Sequence, residues 1–104
     1  MSLTIKLLIA IGLSTAAGLA NAAGDAAAGK AKSAVCAGCH GAVGVSGNPM
    51  YPNIAGQHSK YVAQSLHDYK SGARNNATMK AMVAALSDAD IDNLAAYYSG
   101  MSCK

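Results

Sequence analysis

Cys36, Cys39 and His40 form a C-x-x-C-H run in the 104-residue chain. Two thiols three positions apart lie on nearly the same side of one helical turn, where each can add to one vinyl group of a porphyrin. The imidazole that follows directly is then held beneath the ring, where it can coordinate iron through Nε2. This spacing attaches a c-type haem, and the small residues Ala37 and Gly38 let the turn lie against the macrocycle.

Two other chemistries share part of this pattern. A C-x-x-C pair also occurs in redox dithiols and in half of a zinc site. A thioredoxin-like dithiol needs a βαβ setting, but no stretch of this chain alternates convincingly as a strand. Zinc would need further ligands, such as Cys103 or His58 together with His40. The helical character of the chain favours haem over both.

An iron atom held by one imidazole needs an explanation for its sixth position. That position could stay open, as in a haem peroxidase or a gas-binding protein, or one of six side chains could fill it: Met50, Met79, Met82, Met101, His58 or His67. Met79 follows a polar loop and precedes a short helix, where the chain could cross the distal face of the ring. Met82 is expected to pack in the core, and Met50 to lie near the ring edge. The residues alone leave the choice open.

Residues 1–22 read as an export segment rather than as part of the fold. Lys6 precedes an apolar run at 7–13, and Ala20-Asn21-Ala22 supplies the small-x-small cleavage site of a secretory signal peptide. Cleavage after Ala22 leaves residues 23–104 as one small domain, without stable membrane insertion, in the oxidising periplasm. The third cysteine of the chain, Cys103, is then an unpaired surface thiol, the site of a disulfide dimer, or the point of attachment of another group.

The composition indicates a core that is small for a domain of this size. Hydrophobic residues make up 52% of the chain, but much of that is alanine, and phenylalanine and tryptophan are absent. A domain this short is marginal without a staple, and a covalent haem would supply the missing apolar centre. The net charge of +3 includes no concentrated basic patch of the kind that binds nucleic acid. The scattered basic side chains either steer acidic partners or are simply solvated: Lys30, Lys32, Lys60, Lys70, Arg74 and Lys80.

The local signals predict an all-α chain. Helices are expected over four segments: 25–35, 57 or 58 to 71, 79–86 and the stretch that follows Ser87. Glycine ends the second and the last of these helices, and Ser87 with Asp90 is a variant of the capping box. The breaker-rich stretch 41–56 is long enough to wrap a ligand. Two helices carry inward-facing stripes: Tyr61, Val62, Ser65, Leu66 and Tyr69 on the second, and Ile91, Leu94, Ala95 and Tyr98 on the last.

The mature chain resembles the small class I bacterial cytochromes c, especially single-domain forms and the halves of tandem di-haem cytochromes. The resemblance rests on four stretches: AGDAAAGKAKSAVCAGCHG, YPNIAGQ, YVAQSLHDYKSGAR and MKAMVAALSDADIDNLAAYYS. It implies four or five short helices wrapped around one covalent haem c, with crossed N- and C-terminal helices. It also implies a periplasmic one-electron carrier rather than an enzyme. Its partners would be transient redox proteins: a membrane oxidase, a cytochrome complex or a periplasmic dehydrogenase.

The resemblance also assigns roles to individual residues. Haem attaches through Cys36 and Cys39, with His40 as the proximal ligand. The loop proline of the family, here Pro52, offers its carbonyl to the proximal histidine, and Ile54 packs near the haem.

The distal methionine of the family aligns with Met79, and Met82 is the less favoured alternative. Gly29 and Tyr97 hold the positions where, in this family, a glycine meets an aromatic residue at the crossing of the terminal helices. Cys103 departs from the family pattern.

Overall fold

A computed structural model describes residues 24–103 of the chain. It contains five α-helices in chain order: α1 (Ala26–Lys32), α2 (Ala34–His40), α3 (Ser59–Ser71), α4 (Ala77–Val83) and α5 (Asp88–Ser99). No strand occurs within 24–103, and none of the helices in that range is long and apolar enough to cross a bilayer. The prediction of an all-α chain with four to five short helices is confirmed. The export segment predicted at 1–22 lies outside the described residues.

The two terminal helices, α1 and α5, pack closely against each other at Gly29. A Cβ atom at this position would lie 2.1 Å from the backbone oxygen of Asn93 and 2.8 Å from the Cβ of Tyr97. The side chain of Asn93 also accepts a hydrogen bond from the backbone N–H of Asp25, at 2.8 Å. The contact between Gly29 and Tyr97 is therefore present, and only glycine permits so close an approach.

Helix α5 forms the centre of the core. Its predicted stripe is buried along its whole length: Ile91, Leu94, Ala95 and Tyr98 are at most 3% exposed. Val83 of α4 and Val62 of α3 are buried in the same core. The helix begins with the predicted capping box. Ser87 Oγ accepts the N–H of Asp90 at 3.1 Å, and Asp90 Oδ2 accepts the N–H of Ser87 at 3.0 Å, so two amide groups that the helix leaves unpaired are satisfied.

Two predicted helix boundaries are wrong, and in both cases a polar side chain forms a hydrogen bond with the backbone at the helix end. The helix predicted over 25–35 stops at Lys32, because the hydroxyl of Ser33 donates to the carbonyl of Lys30 at 2.8 Å. A separate helix, α2, then carries the C-x-x-C-H run. The helix predicted over 79–86 covers Ala77–Val83 instead, because the side chain of Asn76 caps it by accepting the N–H of Met79 at 2.9 Å.

The segment 41–58 has no helix or strand, as predicted for 41–56. It folds back on itself where the carbonyl of Gly44 accepts the N–H groups of Ile54 and Ala55, at 2.8 and 3.0 Å. It is tied to α5 by the N–H of Gly56, which donates to the carbonyl of Tyr98 at 2.9 Å. These bonds set the position of the 50–57 stretch opposite α2.

Candidate cofactor site

A large cavity lies between α2, the 50–57 stretch, α3 and α4, with α5 behind it. Its volume is about 450 Å³, within the range of about 300–1,000 Å³ typical of small-molecule and cofactor sites. Each residue of the inward stripe predicted for α3, from Tyr61 to Tyr69, lines it. These elements therefore surround a pocket large enough for a cofactor.

The C-x-x-C-H run forms one wall of this cavity. Cys36, Cys39 and His40 all line it, and both thiols are free and half-buried. Burial raises the pKa of the Cys36 thiol, and a hydrogen bond with the Tyr98 hydroxyl opposes that rise. The Cys36 thiol is thus held in its neutral form beside the cavity. Helix α2 ends directly after His40, at Gly41 (φ +87°).

The imidazole of His40 is buried and held in one orientation. Its Nδ1 lies 2.8 Å from the carbonyl oxygen of Pro52. Because a carbonyl only accepts hydrogen bonds, Nδ1 carries the proton and Nε2 keeps its lone pair. A histidine fixed in this way by an outer hydrogen bond is the usual form of a metal ligand. Pro52 and Ile54, the two loop residues singled out in the sequence, both line the cavity.

Three methionines line the cavity and differ in exposure. Met50 is 83% exposed and Met82 is 45% exposed, whereas Met79 is half-buried. The expectation that Met82 packs in the core is wrong, because its neighbour Val83 takes the core position and is 2% exposed. Met101 and the two histidines considered as ligands, His58 and His67, do not line the cavity.

Two contributions to the site were not expected from the sequence. Tyr98, placed on the core stripe of α5, also forms part of the cavity wall next to Cys36, and its burial raises the pKa of the phenol. Arg74 lines the cavity as well, with its guanidinium 4.7 Å from the centre of the Tyr69 ring. The stripe pattern could have indicated the position of Tyr98, but no local signal distinguishes Arg74 from the other basic residues.

The described residues do not assemble the competing zinc site. Between 24 and 103, no group of three or more His, Cys, Asp or Glu side chains is placed to hold a metal ion. Cys103 is exposed and does not line the cavity. A thioredoxin-like βαβ unit is also missing from this range, since it contains helices alone.

The cavity fits a covalently held haem. One wall offers two thiols in a C-x-x-C pair, and the imidazole next to them has a lone pair on Nε2. The rest of the lining is mostly apolar and includes the half-buried thioether of Met79. Imidazole and thioether are ligands suited to haem iron.

Comparison with known proteins agrees with this geometry. Residues 26–102 match the family model described as Cytochrome c. The chain is 47% identical over 97 residues to cytochrome c4 of Pseudomonas aeruginosa, covering 93% of this chain and 47% of that protein. It is 48% identical over 78 residues to cytochrome c-554(548) of Halomonas halodenitrificans, covering 72% of this chain and 94% of that protein.

A third relative is the thiosulfate dehydrogenase electron acceptor of Thiomonas intermedia, 47% identical over 75 residues, with 70% of this chain and 34% of that protein covered. Among solved structures, reduced recombinant cytochrome c4 from Pseudomonas stutzeri superposes with a TM-score of 0.73 and 40% identity, over 77% of this chain and 47% of that one. The chain thus spans about half the length of the cytochromes c4 that it matches. It belongs to the cytochrome c family, the electron-transfer proteins that hold haem c and its iron covalently.

Proposed function

We propose that this chain is an exported one-electron carrier in which Cys36 and Cys39 hold one haem c, with His40 and Met79 as its axial ligands. The observation that carries the proposal is the hydrogen bond between His40 Nδ1 and the Pro52 carbonyl, at 2.8 Å, beside a cavity that both thiols line. When bound, the haem supplies a ferric–ferrous couple.

The proximal side of the site is a rigid arrangement of protein groups. The Pro52 carbonyl keeps the His40 ring from rotating and increases the basicity of Nε2. Cys36 and Cys39 lie on the same helix as His40, so the two points of attachment and the ligand move as one body. Ile54 lines the same cavity.

The distal ligand in this proposal is Met79, with Met82 as the less favoured alternative. Met79 lies in the first turn of α4, and its N–H is held by the cap at Asn76. It is the least exposed of the three methionines that line the cavity. A thioether favours the reduced metal and raises the potential relative to harder ligands. If His40 and Met79 both held the iron, no coordination position would remain for a substrate, and the site would serve electron transfer.

The proposal places the mature domain, 23–104, in the periplasm after removal of residues 1–22. The charge and cleavage-site pattern of that segment supports export.

For partners, the relative from Thiomonas intermedia, an electron acceptor for thiosulfate dehydrogenase, supports a periplasmic dehydrogenase as the electron donor. A membrane oxidase or a cytochrome complex would be the acceptor. Such encounters are brief and bury a small interface, below about 1,200 Å². A disulfide dimer through the exposed Cys103 is an alternative arrangement of the same carrier.

The test is the spectroscopy of protein matured in a periplasm with haem-ligation machinery. A pyridine haemochrome spectrum should show one haem c per chain. Met79→Ala should keep the haem attached, remove the sulfur-to-iron charge-transfer band, lower the potential and allow the ferrous protein to bind carbon monoxide.

Met82→Ala is the matched control, because it removes a cavity-lining thioether one turn further along α4 and should leave the band intact. An unaltered band in Met79→Ala, or its loss in Met82→Ala, would refute the assignment of Met79. Colourless, folded protein would refute the proposal as a whole.

A further inference from the structure

Tyr98 brings a buried hydroxyl group to the cavity wall close to Cys36. The residue is 3% exposed, and both Tyr98 and Cys36 line the cavity. They come from different helices, α5 and α2, so their contact depends on the tertiary fold. Because a buried phenol normally has a hydrogen-bond partner, the groups next to this hydroxyl decide what it does in the site.

The backbone and the neighbouring ring hold Tyr98 in place. Its carbonyl accepts the N–H of Gly56 at 2.9 Å and the N–H of Met101 at 3.2 Å. Its ring lies against that of Tyr97, with the two ring centres 5.1 Å apart. A phenol has only two side-chain torsions, so these contacts leave the hydroxyl little freedom to turn away from the cavity wall.

Two side chains lie next to the hydroxyl of Tyr98: the Cys36 thiol and the Ser33 hydroxyl. Ser33 Oγ donates its only proton to the carbonyl of Lys30 at 2.8 Å, so it has none left for Tyr98. The hydrogen bond between Tyr98 and Cys36 opposes the rise that burial causes in the pKa of the thiol, as a donor to the sulfur does. Burial raises the pKa of the Tyr98 phenol, so the phenol keeps the proton that it donates.

Attachment of haem changes the hydrogen bonds that the Cys36 sulfur can form. A thiol can donate or accept, whereas a thioether sulfur has no hydrogen and only accepts. We infer that Tyr98 is a positioning residue whose hydroxyl donates a hydrogen bond to the thioether sulfur of Cys36. This inference rests on the proposed attachment of haem at Cys36 and Cys39. The bond ties α5 to one of the two attachment points, and it draws electron density from the sulfur, which disfavours the more positive ferric form.

The experiment compares the holoproteins of the wild type, Tyr98→Phe and Tyr97→Phe. Tyr98→Phe removes the hydroxyl and keeps the buried ring. Tyr97→Phe is the matched control, because it makes the same change at the next position of α5, which does not line the cavity. The first measurement is the carbon–sulfur stretching mode in the resonance Raman spectrum, recorded in ordinary and in heavy water. The second is the ratio of ferrous to ferric protein at a fixed ambient potential.

Deuteration of a hydroxyl that donates to the sulfur changes the carbon–sulfur mode. The mode of the wild type and of Tyr97→Phe should therefore shift in heavy water more than that of Tyr98→Phe. Tyr98→Phe should also lower the ferrous-to-ferric ratio, by up to about fivefold, the factor that one neutral hydrogen bond can supply. An equal shift in all three proteins would overturn the inference. A shift in none of them would assign the phenol proton to Ser33 Oγ and would overturn it as well.

The inference can also be tested without a variant. If Tyr98→Phe does not mature, nuclear Overhauser contacts of the Tyr98 hydroxyl proton in the ferrous wild-type protein replace the comparison. A contact with the β-protons of Cys36 supports the hydrogen bond, and the absence of this contact overturns it.

The two proposals fail in different ways. An intact haemochrome and an intact sulfur-to-iron band, together with a carbon–sulfur mode that does not respond to Tyr98→Phe, would remove the role of Tyr98 and leave the proposed function standing. Absence of haem from the wild-type protein would instead remove the proposed function.

Discussion

Replacement of Gly29 by alanine tests the packing of the terminal helices most directly. In an exposed helix interior this change stabilises a protein by about 0.5–1 kcal/mol, because alanine loses less backbone entropy on folding. Here the new methyl group would lie 2.1 Å from the backbone oxygen of Asn93 and 2.8 Å from the Cβ of Tyr97. Neither neighbour is the flexible end of a side chain, so α1 must move away from α5.

The cost of that movement exceeds the gain in helix propensity. Inserting a methyl group into a packed contact costs about 1–3 kcal/mol, occasionally more. The shift also weakens the hydrogen bond from Asp25 N–H to the Asn93 side chain, 2.8 Å long, which adds about 0.5–1.5 kcal/mol. After the propensity gain, the expected net loss is about 2 kcal/mol. For a domain of this size that lowers Tm by roughly 8–16 °C.

The assay is reversible thermal and guanidinium unfolding of the holoprotein, followed by far-UV circular dichroism. The matched control is Gly47→Ala, since a Cβ there would meet nothing within 4 Å and its backbone is not left-handed. The control should be as stable as the wild type, or more stable by up to about 1 kcal/mol. Equal or greater stability of Gly29→Ala would show that the helices do not approach as closely as described.

Two further predictions concern the start of α5. Ser87→Ala removes the hydroxyl that accepts the N–H of Asp90 at 3.1 Å and should reduce the free energy of unfolding by about 1 kcal/mol. Denaturant unfolding measures this change, with Ser102→Ala, at an exposed position, as the control. An unchanged unfolding midpoint in Ser87→Ala would contradict the capping role. Hydrogen bonds from Ser87 and the charge of Lys32 hold the pKa of Asp90 below its ordinary value. Its contribution to stability is therefore full above the unfolded-state pKa of about 3.9 and is lost as the pH falls through the lower folded-state value. The difference in unfolding free energy between wild type and Asp90→Asn should accordingly shrink below about pH 4. A difference that stays constant down to pH 2 would exclude this linkage. Asp92→Asn, on the same helix, controls for the loss of one negative charge.

Features that depend on a few neighbouring residues could be predicted from the sequence. The cap at Ser87 and Asp90 and the end of α3 at Gly72 follow from local hydrogen bonding and from the conformational freedom of glycine. The stripe from Ile91 to Tyr98 follows from the period of the helix.

Boundaries set by bonds between polar side chains and the backbone were not predictable in this way. Ser33 interrupts the first helix because its hydroxyl bonds to the carbonyl of Lys30, three residues earlier; Ser71 and Ser99 make the same bond at the last residues of α3 and α5. The side chain of Asn76 lets α4 begin two residues before the predicted start, because it accepts the otherwise unpaired N–H of Met79. Met82 lies at the cavity rather than in the core because Val83 occupies the core position instead, and one residue along a helix changes the direction of a side chain by about 100°.

By itself the sequence determined the chemistry available to this protein: two thiols and an imidazole at the spacing that haem attachment requires, on a helical chain too poor in large side chains to fill its own centre. The tertiary structure alone decided which distant groups meet that chemistry. It brought the Pro52 carbonyl to 2.8 Å from His40 Nδ1 and placed Arg74 over Tyr69 at the cavity rim. Spacing along the chain controls what one turn of helix presents, whereas contacts between distant segments depend on how loops and helices pack around a shared cavity.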